Sequence, residues 1–122
     1  MSRRILVADD EPNILAALEF MLRRAGYEVD VARDGEEALR QLEQRPPDLV
    51  LLDVMMPVLS GYDVCERLRA RPEWAGVKVV MLSARGRETE TNRGLAAGAD
   101  LYVVKPFSNR ELLQKIDSLL GG

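Results

Sequence analysis

The residues Asp48-Leu49-Val50-Leu51-Leu52-Asp53 form an apolar run that is bounded by two acids. Four adjacent apolar residues are typical of a strand that is covered on both faces, as strands are in the middle of a parallel sheet. A second run, Val79-Val80-Met81-Leu82, has the same character. The two runs predict central strands of an α/β domain whose sheet carries helices on both faces.

Shorter β-branched runs surround these two. The predicted strands are residues 5–8, 29–32, 49–52, 77–82 and 101–104, and each is followed by a segment with helical apolar spacing. Strand and helix alternating five times predicts a single doubly wound (βα)5, flavodoxin-like domain with a parallel five-stranded sheet. Residues 27–31 alternate apolar and polar side chains, as an edge strand does, which favours the strand order 2-1-3-4-5.

Helix signals lie between the predicted strands. A first helix is expected to begin at Pro12 and to end before Gly26, and a fourth is expected over residues 88–97. Capping boxes are predicted where an acid follows a capping residue by three positions. These pairs are Asp34 with Glu37, Ser60 with Asp63, and Ser108 with Glu111.

The composition excludes several classes of function. The 122 residues include 17 Lys and Arg against 20 Asp and Glu, so the net charge of −3 gives no general attraction to nucleic acid. With no His and one Cys, the chain cannot form a His-based zinc site, a Ser-His-Asp triad or an internal disulfide. No apolar run approaches the roughly 20 residues of a membrane-spanning helix. We therefore expect a cytoplasmic protein with no direct contact to nucleic acid or membrane.

Polar side chains stand at the predicted carboxyl ends of four strands. Asp9 and Asp10 follow the first strand, Asp53 the third, Ser83 the fourth and Lys105 the fifth. With the order 2-1-3-4-5, these ends meet around the switch point between strands one and three. Carboxylates that lie so close need compensation, because like charges repel. Lys105 can neutralise one of them, and a hard divalent cation such as Mg2+ can neutralise the others. The set suits phosphoryl transfer, and Asp53 is the candidate nucleophile because it is central in the sheet.

Each of these residues has a simpler interpretation when it is considered alone. Asp9 or Asp10 fits a helix N-cap, Ser83 a turn residue and Lys105 a solvated loop. Cys65 fits a small buried hydrophobe better than a redox thiol. The joint placement at strand ends favours the functional interpretation of the whole set.

With these motifs the sequence resembles the receiver domain of two-component response regulators, and chemotaxis-regulator-like members in particular. The resemblance covers residues 3–120, and residues 1–122 are expected to form one receiver domain with no output domain in this chain. It rests on six ordered motifs. They are Ile5-Leu6-Val7-Ala8-Asp9-Asp10-Glu11, Pro47-Asp48-Leu49-Val50-Leu51-Leu52-Asp53, Met56-Pro57 with Ser60-Gly61, Leu82-Ser83-Ala84, Gly98-Ala99-Asp100 and Lys105-Pro106-Phe107.

The resemblance implies a chemical role for each acid. Asp53 accepts a phosphoryl group from a phosphohistidine on a partner protein. The cofactor is Mg2+, which Asp10 binds directly and Asp9 largely through water. Asp53 and the backbone carbonyl of Met55 complete the metal site.

The resemblance also implies how the phosphoryl group is held and sensed. Ser83 donates a hydrogen bond to it, Lys105 pairs with it, and the Lys105-Pro106 bond is cis. On phosphorylation Ser83 moves inward and Tyr102 rotates in behind it, which remodels the face of helix 4, strand 5 and helix 5. From propensity alone, Tyr102 also fits a half-buried strand aromatic.

The implied partners lie on both sides of this reaction. A sensor histidine kinase or a histidine phosphotransfer protein donates the phosphoryl group, and a downstream output protein or an output domain missing from this chain responds. Many members of the transcription-factor branch carry an acid and an Arg for dimerisation where this chain has Leu101 and Lys115. We therefore expect a monomer or a weak, phosphorylation-dependent homodimer. Met55 and Arg85 occupy variable positions beside the site, and we hypothesise that they shield the acyl phosphate from water.

Other functions remain open as alternatives. A Mg2+-dependent aspartyl-phosphate phosphohydrolase needs an acid two residues after its nucleophile, where this chain has Met55. A flavodoxin-like cofactor binder needs a phosphate-binding loop after strand one, where residues 9–11 are acidic. A receiver-like scaffold needs no phosphorylation at all. The leading hypothesis is a signalling switch, which is not a metabolic enzyme and catalyses only its own phosphorylation and dephosphorylation.

Overall fold

Strands and helices alternate along the whole chain in the computed structural model, which describes the backbone of residues 3–84 and 88–121 and the side chains of 3–84 and 92–121. The strands are β1 Arg4–Ala8, β2 Glu28–Ala32, β3 Leu49–Asp53, β4 Lys78–Ser83 and β5 Leu101–Val104. The helices are α1 Pro12–Arg24, α2 Gly35–Gln44, α3 Gly61–Arg69, α4 Glu88–Ala96 and α5 Asn109–Leu119. A short 3₁₀ helix, Pro72–Trp74, precedes β4.

The strands form one parallel sheet in the order β2-β1-β3-β4-β5, which confirms the predicted fold class and order. The register brings the carboxyl ends of neighbouring strands level. Ala8 pairs with Leu52, Asp53 with Leu82, and Ser83 with Val104. The residues at these ends therefore meet at one edge of the sheet.

The core lies in two layers, one on each face of the sheet. One layer contains the buried residues of α2 and α3, and the other contains those of α1 and α5. Every residue of β3 is buried, as the apolar run predicts for a strand covered on both faces. Among the described residues, no helix combines the length and apolar character needed to cross a membrane.

Several predicted strand boundaries shift by one residue, and two of these shifts affect the polar edge. Asp53 and Ser83 are the last residues of β3 and β4 rather than the first residues after them, because the sheet pairing continues through Asp53 opposite Leu82 and through Ser83 opposite Val104. Both side chains are thereby fixed by strand geometry. Gly26 and Gly98 adopt φ values of 99° and 108° after α1 and α4, which glycine tolerates best.

The predicted caps form to different extents. Ser60 and Asp63 make both reciprocal bonds of a capping box at the start of α3. At α2 the side chain of Asp34 accepts the N–H of Glu37, and at α5 Ser108 accepts the N–H of Glu111. The chain thus enters these helices where the sequence signals predict.

Candidate functional site

Three carboxylates converge at the carboxyl edge of the sheet. One oxygen from each of Asp9, Asp10 and Asp53 lies within 4.8 Å of the others. Asp9 and Asp53 are buried and Asp10 is exposed. The structure therefore brings together the acids that the sequence predicted to converge.

Backbone hydrogen bonds orient Asp9. Its N–H donates to Ala32 on the neighbouring strand at 3.1 Å, and its Oδ1 accepts the N–H of Glu11 at 2.9 Å. The N-cap of α1 is Glu11, which makes no side-chain capping bond. The simpler interpretation of Asp9 or Asp10 as the N-cap is therefore wrong.

Lys105 reaches two of the three acids. Its Nζ lies 3.2 Å from Oδ1 of Asp53 and 3.4 Å from Oδ2 of Asp9. The sequence assigned it to one carboxylate, but its long side chain spans the gap between β1 and β3. The Lys105-Pro106 bond is cis, as predicted, and the Lys105 N–H donates to the Ser83 carbonyl at 2.6 Å.

The crowding of these groups changes their protonation. Burial and then repulsion from Asp9 raise the pKa of Asp53 to about 6, against the smaller lowering effect of Lys105. Burial by itself lowers the pKa of Lys105, but the attraction of Asp53 and Asp9 outweighs it, so this pKa lies above its ordinary value. The site therefore carries an excess of negative charge, which a bound cation would neutralise.

The predicted switch residues lie on β4 and β5, the two strands on one side of β3. Ser83 is buried at the end of β4, one position beyond the Leu82 that pairs with Asp53. Tyr102 pairs with Met81 and is half-buried against the core layer of α2 and α3. Their placement agrees with the expectation, while their movement stays a prediction.

The loop from β3 to α3 packs against the backbone at the end of β3. The Gly61 N–H donates to the Val54 carbonyl at 2.9 Å, and a methyl group at Gly61 would lie 2.5 Å from the Asp53 carbonyl oxygen. Gly61 thus allows α3 to begin directly against the backbone of Asp53. In the sequence Gly61 stands out only as part of a motif, because the contact itself exists only in the folded chain.

Two other predictions concern the pair Met55 and Arg85, and the single cysteine Cys65. The Met55 side chain is 65% exposed, while Arg85, its partner in the shielding hypothesis, lies outside the described residues. Cys65 is fully buried, its thiol contacts the Ala97 carbonyl at 3.3 Å, and burial raises its pKa to about 11. The expectation of a small buried hydrophobe at Cys65 is confirmed.

Comparison with known proteins identifies the family to which this sequence is related. The family model described as the response regulator receiver domain matches residues 5–117. This chain belongs to the response regulator receiver domain family. The receiver domain is 47% identical over 120 residues to the phosphate regulon transcriptional regulatory protein PhoB of Rhizobium meliloti, a match that covers 98% of this chain and 53% of that protein.

Solved structures agree with this assignment. The receiver domain superposes on a putative response regulator from Chloroflexus aurantiacus with a TM-score of 0.94 and 37% identity, covering both chains fully. It also resembles a chain of the CheX-CheY-BeF3-Mg+2 complex of Borrelia burgdorferi, with a TM-score of 0.89, 28% identity and coverage of 97% of this chain and 89% of that one. The chain spans about half the length of the curated relatives that it matches.

Proposed function

We propose that this receiver domain is a phosphorylation-activated switch that accepts a phosphoryl group from a phosphohistidine partner on Asp53. The observation that carries the proposal is the convergence of three acids within 4.8 Å, with the Lys105 ammonium bonded to two of them. Asp53 is the acid that stands at the end of the central strand, between the Asp9 side and the Ser83 side of the edge. A carboxylate there is both a nucleophile and the centre of the charge-stabilising groups.

The donor set fits Mg2+. Carboxylate oxygens with no nitrogen or sulfur ligand favour a hard cation, and Asp9, Asp10, Asp53 and the backbone carbonyl of Met55 would hold it. The raised pKa of Asp53 supports a bound cation, because the three acids lack sufficient positive charge. When bound, Mg2+ supplies charge neutralisation for the phosphoryl oxygens.

The chain's own residues then divide the remaining work. An oxygen of Asp53 forms the new bond to phosphorus as the bond between phosphorus and the partner's imidazole nitrogen breaks, and that nitrogen keeps the electron pair. Lys105 stabilises the negative oxygens, and the Ser83 hydroxyl donates to one of them. Ser83 and Tyr102 carry the change to the face of α4, β5 and α5.

The proposed partners follow from this chemistry. The donor is a sensor histidine kinase or a histidine phosphotransfer protein, since the chain has no His of its own. The partner that responds to the phosphorylated domain is an output protein or an output domain. Relatives about twice as long as this chain include transcriptional regulatory proteins. We propose that residues 1–122 form one receiver domain that contacts neither nucleic acid nor membrane directly, acts in the cytoplasm, and is a monomer or a weak, phosphorylation-dependent dimer.

The test is phosphorylation by a small donor. Purified protein is incubated with acetyl phosphate and Mg2+, and its intact mass is measured over time. The wild type should gain one phosphoryl group, and Asp53→Asn should gain none. Asp34→Asn is the matched control, because Asn caps α2 as Asp does, so this variant should be phosphorylated like the wild type.

Other outcomes would contradict the proposal in distinct ways. Fast release of inorganic phosphate without an adduct would indicate the phosphohydrolase. The absence of any reaction with acetyl phosphate or with phosphoimidazole would indicate the scaffold. Phosphorylation that persists in Asp53→Asn would show that the wrong residue has been assigned.

A further inference from the structure

Helix α4 meets strand β5 at Gly94, a buried glycine that faces an aromatic ring. A methyl group at Gly94 would lie 2.7 Å from Cδ2 and 3.0 Å from Cε2 of Tyr102, and 3.1 Å from the sulfur of Met81. The first distance is far inside van der Waals contact. The Tyr102 ring therefore occupies the space that any other residue would fill with its side chain.

Helix α4 is held from other directions. The Arg93 guanidinium stacks 4.3 Å from the centroid of the buried Tyr62 ring on α3. At the end of α4, the Arg69 side chain donates to the Gly98 carbonyl at 2.9 Å. These contacts join α4 to α3, so a shift of the helix away from the sheet would break them.

The Tyr102 ring can move to relieve such a contact. A 180° flip of the ring about its own axis only exchanges the two equivalent edges, so the ring must tilt about χ2 or rotate about χ1 to leave the space. Met81 can yield more easily, because its side chain has three rotatable bonds. A side chain at position 94 would therefore act mainly on the position of Tyr102.

We propose that Gly94 is a positioning residue, whose missing side chain gives the Tyr102 ring its seat against α4. We further propose that this seat is one of the two ring positions between which the phosphoryl group selects, a step that rests on the function proposed above. A methyl group at position 94 removes one of the two positions. It therefore reduces the response of Tyr102 to a phosphoryl group, whichever position the phosphoryl group favours.

The first test is an unfolding cycle that needs no phosphoryl chemistry. Gly94→Ala is introduced into the wild type and into Tyr102→Ala, and the urea midpoint is measured for all four proteins. The substitution should lower the midpoint in the wild type but leave it unchanged or raise it in Tyr102→Ala, where the ring is gone and Ala favours the helix. Rescue of folding by Tyr102→Ala counts as the same result.

The control for the cycle is Gly76→Ala, because a methyl group at Gly76 meets nothing within 4 Å. Its effect on the midpoint should be the same in both backgrounds. Equal shifts for Gly94→Ala in both backgrounds would overturn the seating.

The second test follows the rings directly. The chain has three Tyr, so fluorine NMR of protein labelled with 3-fluorotyrosine gives three signals, which Tyr→Phe variants assign. Gly94→Ala should move the Tyr102 signal and leave the Tyr62 signal in place. Addition of BeF3− and Mg2+ should shift the Tyr102 signal of the wild type, and this shift should fall by at least half in Gly94→Ala.

Three results would overturn the proposal. The first is a Tyr102 signal that stays in place in Gly94→Ala. The second is a Tyr62 signal that moves in place of the Tyr102 signal, because the helix and not the ring has yielded. The third is a BeF3− shift of the Tyr102 signal that keeps its full size in Gly94→Ala. If the wild type does not respond to BeF3−, the proposed switch and the second part of the inference fail together. The seating of the ring is still decided by the unfolding cycle and by the Tyr102 signal of Gly94→Ala without BeF3−.

Discussion

Removing the charge of Asp53 should stabilise the metal-free protein. Its buried carboxylate lies beside Asp9, and burial with this repulsion raises its pKa from 3.8 to about 6 despite Lys105. The folded state therefore binds a proton more tightly than the unfolded state does. Asp53→Asn keeps the shape of the side chain and removes the group whose ionisation opposes folding.

The magnitude and its sign follow from proton linkage. A carboxyl group with a raised folded pKa destabilises the fold as pH rises from about 4 to about 6, and the penalty is complete above that range. At 1.36 kcal/mol per pKa unit, the penalty reaches about 3 kcal/mol at neutral pH and about 1 kcal/mol near pH 4.5. Asp53 is only 7% exposed, so little of this is screened by solvent.

The assay is urea unfolding in the presence of a chelator, followed by the fluorescence of Trp74, the one Trp in the chain. The unfolding free energy of Asp53→Asn should exceed that of the wild type by about 3 kcal/mol near pH 7.5, and by about 1 kcal/mol near pH 4.5. Asp34→Asn, which exchanges one capping residue for another on α2, should not be stabilised in this way. A stability gap that does not grow with pH, or an Asn variant less stable than the wild type, would refute the reasoning.

Three further predictions concern the metal and the loop from β3 to α3. Mg2+ competes with a proton for Asp53, so the apparent affinity of the protein for Mg2+ should fall about tenfold for each pH unit below about 6. Titration calorimetry measures this affinity, and a constant value from neutral to acidic pH would contradict the prediction. Gly61→Ala should lower the unfolding free energy by about 1–3 kcal/mol, because the added methyl group would lie 2.5 Å from the Asp53 carbonyl oxygen. The control Gly76→Ala should change the unfolding free energy by less than about 0.5 kcal/mol. Equal effects of the two substitutions would rule out the contact. Val58 has a φ of 72° in a γ-turn, which a hydrogen bond of 2.8 Å from the Leu59 N–H to the Pro57 carbonyl closes. Because this backbone conformation is strained for Val, Val58→Gly should raise the unfolding free energy by about 1 kcal/mol. A lower urea midpoint would show that the turn is unstrained.

The sequence predicts the fold because each local signal agrees with the others. The apolar run of β3 is typical of a buried strand, and the alternation of residues 27–31 favours an edge position for β2; the structure confirms both. Once the strand order is known, Asp9, Asp53 and Lys105 must meet at the switch point. The convergence of the site residues is therefore a consequence of topology, which local patterns encode.

Contacts between elements are beyond this kind of prediction. No local signal shows that Gly61 lies on the Asp53 backbone or that Gly76 faces open space. The contact of Gly94 with Tyr102 depends on how α4 sits on the sheet, and the reach of Lys105 to both Asp9 and Asp53 depends on the spacing of β1 and β3. These details require distances, and the sequence supplies only order and spacing along the chain.

Asp53 is the proposed site of phosphorylation, and the position of the phosphoryl group can be measured directly. Protein phosphorylated with acetyl phosphate and Mg2+ is treated with borohydride, which reduces an acyl phosphate to an alcohol, and the modified residue is located by peptide mass spectrometry. We predict conversion of Asp53 to homoserine, with Asp9 and Asp10 unchanged. Reduction at another acid, or at none while the protein remains phosphorylated, would contradict the account.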